Sequence, residues 1–98
     1  MMVKDLVKVE IILFATLRSK YKVRNLEIEC DGTIPDLINK AARKLGESFL
    51  SIVYNVSKNK VRDDLIFAIN GRNLKDLKGD IELHDGDVIA IFPPVAGG

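Results

Sequence analysis

Residues 88–92, with the sequence VIAIF, form a run of five apolar side chains near the C-terminus. Such an unbroken run is typical of a strand in the middle of a sheet, because a strand with one face in water alternates apolar and polar residues. We therefore predict a central strand here, covered on both faces. The sequence Asp85-Gly86-Asp87 directly before it is typical of a turn.

The N-terminal third of the chain has the alternation expected of two half-buried strands. Residues 7–13 have apolar side chains at the odd positions, and residues 25–30 have them at the even positions. The polar link at residues 18–24 is short enough for a hairpin connection. The two strands are therefore predicted to pair antiparallel.

A helix is predicted from residue 33 to residue 45. Thr33 can cap its N-terminus, Pro35 is tolerated in the first turn, and Asp36 suits the exposed amides there. Gly46 stands where a left-handed C-terminal cap would end the helix. The helical spacing is carried by an apolar stripe that consists of Leu37, Ile38, Ala41, Ala42 and Leu45.

The segment between this helix and the last strand carries weaker signals. Apolar residues between 49 and 56 suggest a second short helix, and residues 57–60 suggest an exposed turn. Residues 65–69 are a compact apolar run that predicts a strand. Asn70-Gly71 then predicts a tight hairpin, because this dipeptide accommodates two positive φ angles. A short return strand is expected to run through Leu74.

The predicted order is strand, strand, helix, strand, short strand, strand. Because the first and last strands are the most apolar, we expect them to lie side by side and parallel at the centre of the sheet. This arrangement is an α+β fold of the β-grasp, or ubiquitin-like, class: a mixed sheet of four or five strands with one main helix on one face. We assign residues 1–92 to this domain and residues 93–98 to an extended, flexible tail.

Composition excludes several classes of function. The chain has 98 residues, of which 47% are hydrophobic and 30% charged, as expected for one globular domain. A net charge of +1 gives no basic surface for a nucleic-acid backbone. No apolar run is long enough to span a membrane. The single cysteine, Cys30, cannot form an internal disulfide, so we expect a cytoplasmic protein.

The six residues after Phe92 are unlike the rest of the chain. Pro93 and Pro94 have no amide hydrogens and favour a stiff extension, which six residues can carry about 20 Å from the domain. Val95, Ala96 and Gly97 narrow the arm toward the terminal Gly98. An arm of this shape can enter a tunnel in another protein and deliver the carboxylate of Gly98. A frayed terminus is the simpler alternative, but the paired prolines favour the arm.

Four stretches together carry a family resemblance. They are FATLR at 14–18, AING at 68–71, LHDGDV at 83–88 and FPPVAGG at 92–98. In this order they resemble MoaD-type small subunits of molybdopterin synthase, sulfur carriers of the ubiquitin-like MoaD and ThiS family. The tail is the most specific element, since carriers for thiazole biosynthesis usually lack the paired prolines. The segment between Gly46 and Asp64 is longer than is usual in the family.

The resemblance implies a carrier without a side-chain catalytic site of its own. A MoeB-type enzyme would use ATP to adenylate Gly98, and a sulfur donor would convert it to a thiocarboxylate. In a heterotetramer with a MoaE-type large subunit, the arm would pass its sulfur to a pyranopterin precursor to form the dithiolene of molybdopterin. The resemblance implies that Phe14, Arg18 and Phe92 dock the large subunit, although both phenylalanines suit a core equally. No cofactor or metal is expected on this chain.

Other readings of the sequence stay open. Activated Gly98 could be joined to lysines of other proteins, as in ubiquitin-like modifiers, or could supply sulfur for thiazole or tRNA thiolation. The domain could also be an interaction module with an inert tail. Cys30 is interpreted as a buried apolar residue, and His84 lacks the companions that a metal site needs. Asp85 and Asp87 are interpreted as turn residues.

Overall fold

The computed structural model describes residues 6–93. Its helices and strands are, in chain order, β1 (Val7–Leu13), α1 (Ala15–Tyr21), β2 (Asn25–Cys30), α2 (Ile34–Leu45), α3 (Glu47–Val53), β3 (Tyr54–Asn55), β4 (Lys60–Val61), β5 (Ile66–Ile69), β6 (Arg72–Asn73), a 3₁₀ turn (Leu74–Asp76) and β7 (Val88–Phe92). Five of the strands form one mixed sheet in the order β2-β1-β7-β5-β6, and β3 pairs with β4.

The centre of the sheet is the parallel pair of β1 and β7, with Ile11 opposite Ile89. Strand β2 runs antiparallel to β1, and β5 runs antiparallel to β7. The predicted β-grasp class is therefore confirmed, including the central place of the VIAIF strand and the antiparallel pairing of the first two strands.

One face of this sheet, the inner face, packs against helix α2 to form the core. Thr33 caps the helix through its Oγ1, which accepts a hydrogen bond from the Asp36 amide at 3.3 Å. The predicted helix is confirmed. The core side chains on the sheet and on α2 include Val9, Ile11, Leu13, Ile28, Leu37, Ile38, Ala41, Phe67, Ile89 and Ile91.

Gly46 ends helix α2 with a φ of 118° and a ψ of 158°. The positive φ was expected, but this ψ lies outside the left-handed helical region, so the predicted cap geometry is wrong. The physical reason is the next helix, α3, which begins at Glu47 and requires the chain to change direction at one residue.

The predicted hairpin link between the first two strands is also wrong. Residues 15–21 form helix α1, which buries Leu17 and turns the ring of Tyr21 edge-on to Phe49, with ring centroids 5.8 Å apart. Leu17 and Tyr21 are four positions apart, the spacing at which two side chains share one helix face. The helix was not predicted because this apolar stripe has only two residues, and residues 18–24 contain four basic ones.

The prediction that β7 is covered on both faces is wrong as well. Ile89 and Ile91 are buried on the inner face, whereas Val88, Ala90 and Phe92 on the outer face are only partly buried. The helices of the core bury the inner face. The apolar side chains of the outer face stay accessible.

The middle of the chain matches the prediction in part. The predicted second helix is present, but it ends at Val53. The turn expected at 57–60 falls in a small, unpredicted hairpin of β3 and β4, in which residues 57–59 are turn and Lys60 begins β4. Asn70 and Gly71 have φ values of 50° and 84°, which confirms the predicted tight turn. The return strand ends at Asn73 and continues into the 3₁₀ turn.

Candidate docking site at the root of the C-terminal arm

The residues carried over from the family resemblance meet at one place. The rings of Phe14 and Phe92 stack with their centroids 4.1 Å apart and their planes 12° from parallel. The guanidinium carbon of Arg18 lies 5.4 Å from the centroid of the Phe14 ring. Both rings are half-buried, so they are surface residues rather than core residues. Stacked rings and a cation over a ring each stabilise such a cluster.

The backbone at the end of β1 holds this stack in position. The amide of Phe14 donates to the carbonyl of Ile91 at 3.2 Å, which fixes it beside β7. Nε of Arg18 donates to the carbonyl of Leu13 at 3.1 Å, which turns the first part of α1 back toward the strand. Ala15 makes the change of direction with a φ of 51°, which costs a residue with a Cβ roughly 1–2 kcal/mol. Backbone strain of this kind often lies at functional sites.

An apolar surface extends from the stack across the outer face of the sheet. Ile12 lies opposite Ala90 in the register of β1 and β7, and Phe92 lies opposite Ile66 in that of β7 and β5. Ile66 is 48% exposed, which is high for an isoleucine in a strand. We call these side chains the outer patch, which consists of Ile12, Phe14, Ile66, Ala90 and Phe92. A patch of neighbouring accessible apolar side chains is typical of an interaction site.

The chain reaches the first residue of the predicted arm beside this patch. Phe92 is the last residue of β7, and the half-buried Pro93 follows it directly. The predicted positions Pro94, Val95, Ala96, Gly97 and Gly98 lie outside the described residues. The stack therefore fixes the root of the arm, one residue before its first proline.

Cys30 is the only cysteine of the chain, and it is fully buried at the end of β2. Burial raises the pKa of the Cys30 thiol, and the nearby carboxylates of Asp36 and Asp31 add to the effect. A neutral, inaccessible thiol is a poor nucleophile. This confirms the interpretation of Cys30 as a packed apolar residue.

Asp85 and Asp87 are turn residues before β7, as predicted, and their side chains accept hydrogen bonds from backbone amides. Oδ2 of Asp87 accepts from the His84 amide at 2.8 Å, and Oδ1 of Asp85 accepts from the Lys8 amide at 2.7 Å. Asn70 joins the same network, since its Nδ2 donates to Asp87 and its Oδ1 accepts from the Val88 amide. These hydrogen bonds between the Asn70-Gly71 turn and the turn before β7 were not predicted from the sequence. They can be inferred only once the pairing of β5 with β7 is known.

Nε2 of His84 lies 3.1 Å from a carboxylate oxygen of Glu82. Among residues 6–93, no group of three or more histidine, cysteine or acidic side chains could hold a metal ion. Nor does this part of the chain contain a helix of the length and apolar character that crossing a bilayer requires.

Comparison with known proteins places this geometry in a family. The sequence model of the ThiS family matches residues 11–98. The chain belongs to the ThiS family. The match covers the last three residues of β1, the stack and the sequence of the arm. Together with the molybdopterin synthase relative described next, it confirms the resemblance to MoaD-type sulfur carriers.

Relatives and solved structures agree with this assignment. The molybdopterin synthase sulfur carrier subunit of Anopheles gambiae is 30% identical over 94 residues, which are 96% of each chain. The solution structure of small archaeal modifier protein 1 from Methanosarcina acetivorans has a TM-score of 0.77 at 27% identity, over 96% of this chain and 99% of that one. A putative molybdopterin converting factor, subunit 1, from Pyrococcus furiosus has a TM-score of 0.66 at 35% identity, over 91% and 99%.

Proposed function

We propose that this chain is the sulfur carrier subunit of a molybdopterin synthase, and that its reacting group is the C-terminal carboxylate of Gly98. The observation that carries the proposal is the anchored root of the arm. The stack of Arg18, Phe14 and Phe92 lies directly before Pro93 and borders an accessible apolar patch. The family match that runs to Gly98 and the name of the mosquito relative support it.

The chemistry at Gly98 requires an activating enzyme, because a carboxylate with a pKa of about 3.5 is ionised and resists nucleophiles. Its oxygen would attack the α-phosphorus of ATP in a MoeB-type enzyme, giving an acyl adenylate and pyrophosphate. A persulfide sulfur would then displace AMP and form an acyl disulfide. A thiol that attacks the sulfur–sulfur bond would release the thiocarboxylate of Gly98 and leave a new disulfide on the donor side.

The outer patch is the proposed docking surface for the proteins that receive the arm. A MoaE-type large subunit that covers the patch would bury apolar area next to Pro93 and would take in the arm at its root. Holding the thiocarboxylate on a docked arm raises its local concentration at the pyranopterin precursor without free sulfide. The proposed assembly is a heterotetramer in the cytoplasm. In this proposal ATP is bound by the activating enzyme, and molybdopterin is the product.

A second candidate function is protein modification through Gly98. The observation in its favour is the structural likeness to an archaeal protein that is named as a modifier. Activation of Gly98 is the same in both cases, and only the acceptor differs: a persulfide sulfur or a lysine amine. Sulfur supply for thiazole synthesis or tRNA thiolation would use the same activated group with a different final acceptor.

Intact mass measurement of the chain purified from its own host tests the proposal. We expect a species about 16 mass units heavier, since sulfur replaces one oxygen, and we expect it to disappear when Gly97 and Gly98 are deleted. Conjugates to lysines of other proteins, without the heavier species, would favour the modifier. Full molybdopterin synthesis in cells that carry only the deleted form would overturn both functions and leave an interaction module.

A further inference from the structure

The hairpin between β5 and β6 carries a chemically labile dipeptide. Asn70 is one of six asparagines in the chain and the one that precedes a glycine. The main-chain nitrogen of a glycine is the least hindered one that an asparagine side chain can meet, since glycine has no Cβ. Among the described residues beyond its chain neighbours, no atom lies within 4 Å of the place where a Cβ on Gly71 would stand. Both residues of the dipeptide are exposed to solvent.

Deamidation is the reaction that this dipeptide favours. The main-chain nitrogen of Gly71 attacks Cγ of Asn70 and closes a succinimide ring. The new bond from nitrogen to Cγ forms, the bond from Cγ to Nδ2 breaks, and Nδ2 leaves as ammonia with the proton of the Gly71 amide. Water then opens the ring at either carbonyl. One product has aspartate at position 70, and the other has isoaspartate, which adds one carbon atom to the main chain.

Two hydrogen bonds hold the side chain of Asn70 in place, and a third orients its partner. Nδ2 of Asn70 donates to Oδ1 of Asp87 at 3.0 Å, and Oδ1 of Asn70 accepts from the Val88 amide at 2.9 Å. Oδ2 of Asp87 accepts from the His84 amide at 2.8 Å. We call these three bonds the turn link. Ring closure removes Nδ2 and joins Cγ to Gly71, so it requires the turn link to open.

Neither product of deamidation can restore the turn link. Aspartate at position 70 suits the same tight turn as asparagine, but it has no donor for Asp87. A carboxylate oxygen would then stand where Nδ2 lies 3.0 Å from Oδ1 of Asp87, and two carboxylates at this distance repel each other. Isoaspartate lengthens a turn of two residues, whose length fixes the register of the strands on either side.

We propose that Asn70 is a modification site of this chain, at which deamidation marks molecules whose turn link has opened. In the folded protein the turn link protects the asparagine. When the hairpin opens, ammonia is lost, and refolding does not reverse the change. The product folds with a weaker connection between β5 and β7, the strand that ends at the root of the arm. The inference does not depend on the chemistry proposed for Gly98.

The first test follows deamidation at position 70 by peptide mass spectrometry, as a gain of about 1 mass unit. The full chain is incubated at one pH and temperature, with and without guanidinium chloride. We expect the reaction to be slower by about tenfold or more in the folded chain, since only the opened hairpin reacts. Equal rates in the folded and denatured chains would overturn the inference.

Two variants of the turn before β7 separate the turn link from general loss of stability. Asp87→Ala removes the acceptor for Asn70 and should speed deamidation of the folded chain several-fold. Asp85→Ala removes a carboxylate of the same turn that is bonded to the Lys8 amide instead, and it should leave the rate nearly unchanged. Equal acceleration by the two variants would show that the turn link is not what protects Asn70.

The second test exchanges the two partners of the link. Asn70→Asp should lower the melting temperature by about 5 °C, because a small domain loses a hydrogen bond and gains a repulsive pair. Adding Asp87→Asn supplies a donor to the new carboxylate and keeps an oxygen for the His84 amide, at the native net charge. The double variant should recover more than half of the loss. An unchanged melting temperature for Asn70→Asp, or no recovery in the double variant, would overturn the inference.

Discussion

The inner and outer faces of the five-stranded sheet have different roles in this protein. Ile11 and Ile12 are neighbours of the same residue type on β1, yet Ile11 is buried in the core while Ile12 is partly exposed on the outer patch. Alternate residues of the central strands thus stabilise the fold, and those between them form an accessible surface next to the arm. The apolar run at 88–92 contributes side chains to the core and to the accessible surface. The hydrophobicity of a residue in this run therefore does not show which face it lies on.

The sharpest test of this comparison is to shorten the two isoleucines separately. Ile11→Ala should lower the free energy of unfolding by about 2–5 kcal/mol, because it opens a cavity in a packed core. Ile12→Ala removes the same atoms from a partly exposed site and should cost less than half as much. Urea unfolding followed by circular dichroism measures both. Equal losses for the two variants would show that the outer face is part of the core.

The next largest effect is expected at the stack. Phe14→Ala should weaken binding of the activating enzyme about tenfold or more, as truncation of a central aromatic residue at an interface commonly does. The loss of the ring pair should lower the stability of the free chain by about 1 kcal/mol. Val56, which is 69% exposed on the β3–β4 hairpin, provides the control. If Val56→Ala weakens binding as much as Phe14→Ala, the docking surface lies elsewhere.

A smaller gain is expected from relief of the strained residue. Ala15→Gly should raise the stability of the free chain by about 0.5–1 kcal/mol, because glycine adopts positive φ freely but gains entropy in the unfolded state. Thermal unfolding detects a change of this size. A loss of stability would mean that the Cβ of Ala15 makes a favourable contact that outweighs its strained φ.

The smallest effect is expected at Glu10 and Glu27, which lie directly opposite each other on β1 and β2. Glu10→Gln removes one of two facing charges and keeps an oxygen for the hydrogen bond from Asn25. Stability should therefore rise by a few tenths of a kcal/mol at low salt, and the gain should shrink as salt is added. A fall in stability at every salt concentration would show that this facing pair is not destabilising.

Much of the fold could be predicted from local pattern. Period-two alternation identified β1 and β2, the helical stripe and Thr33 identified α2, and Asn70-Gly71 identified its turn, because each signal lies within a few neighbouring residues. Helix α1 was missed since its apolar stripe is only Leu17 and Tyr21 amid basic residues. Strands of two residues, such as β3 and β4, are too short to show a period.

The candidate site depended on a different kind of information. The family resemblance named Phe14, Arg18 and Phe92, but only the parallel pairing of β1 with β7 shows that they form one stack. The same holds for Glu10 and Glu27, which become neighbours through the β1–β2 register. Contacts between residues far apart in sequence depend on the tertiary fold, so no pattern among neighbouring residues predicts them.

Top-down fragmentation of the chain isolated from its own host tests the central claim most directly, because it assigns any added mass to a residue. We predict a gain of about 16 mass units, one oxygen replaced by sulfur, confined to the C-terminal fragments that contain Gly98. Sulfur carried on Cys30 as a persulfide, with Gly98 unmodified, would contradict the claim that the main-chain carboxylate is the working group.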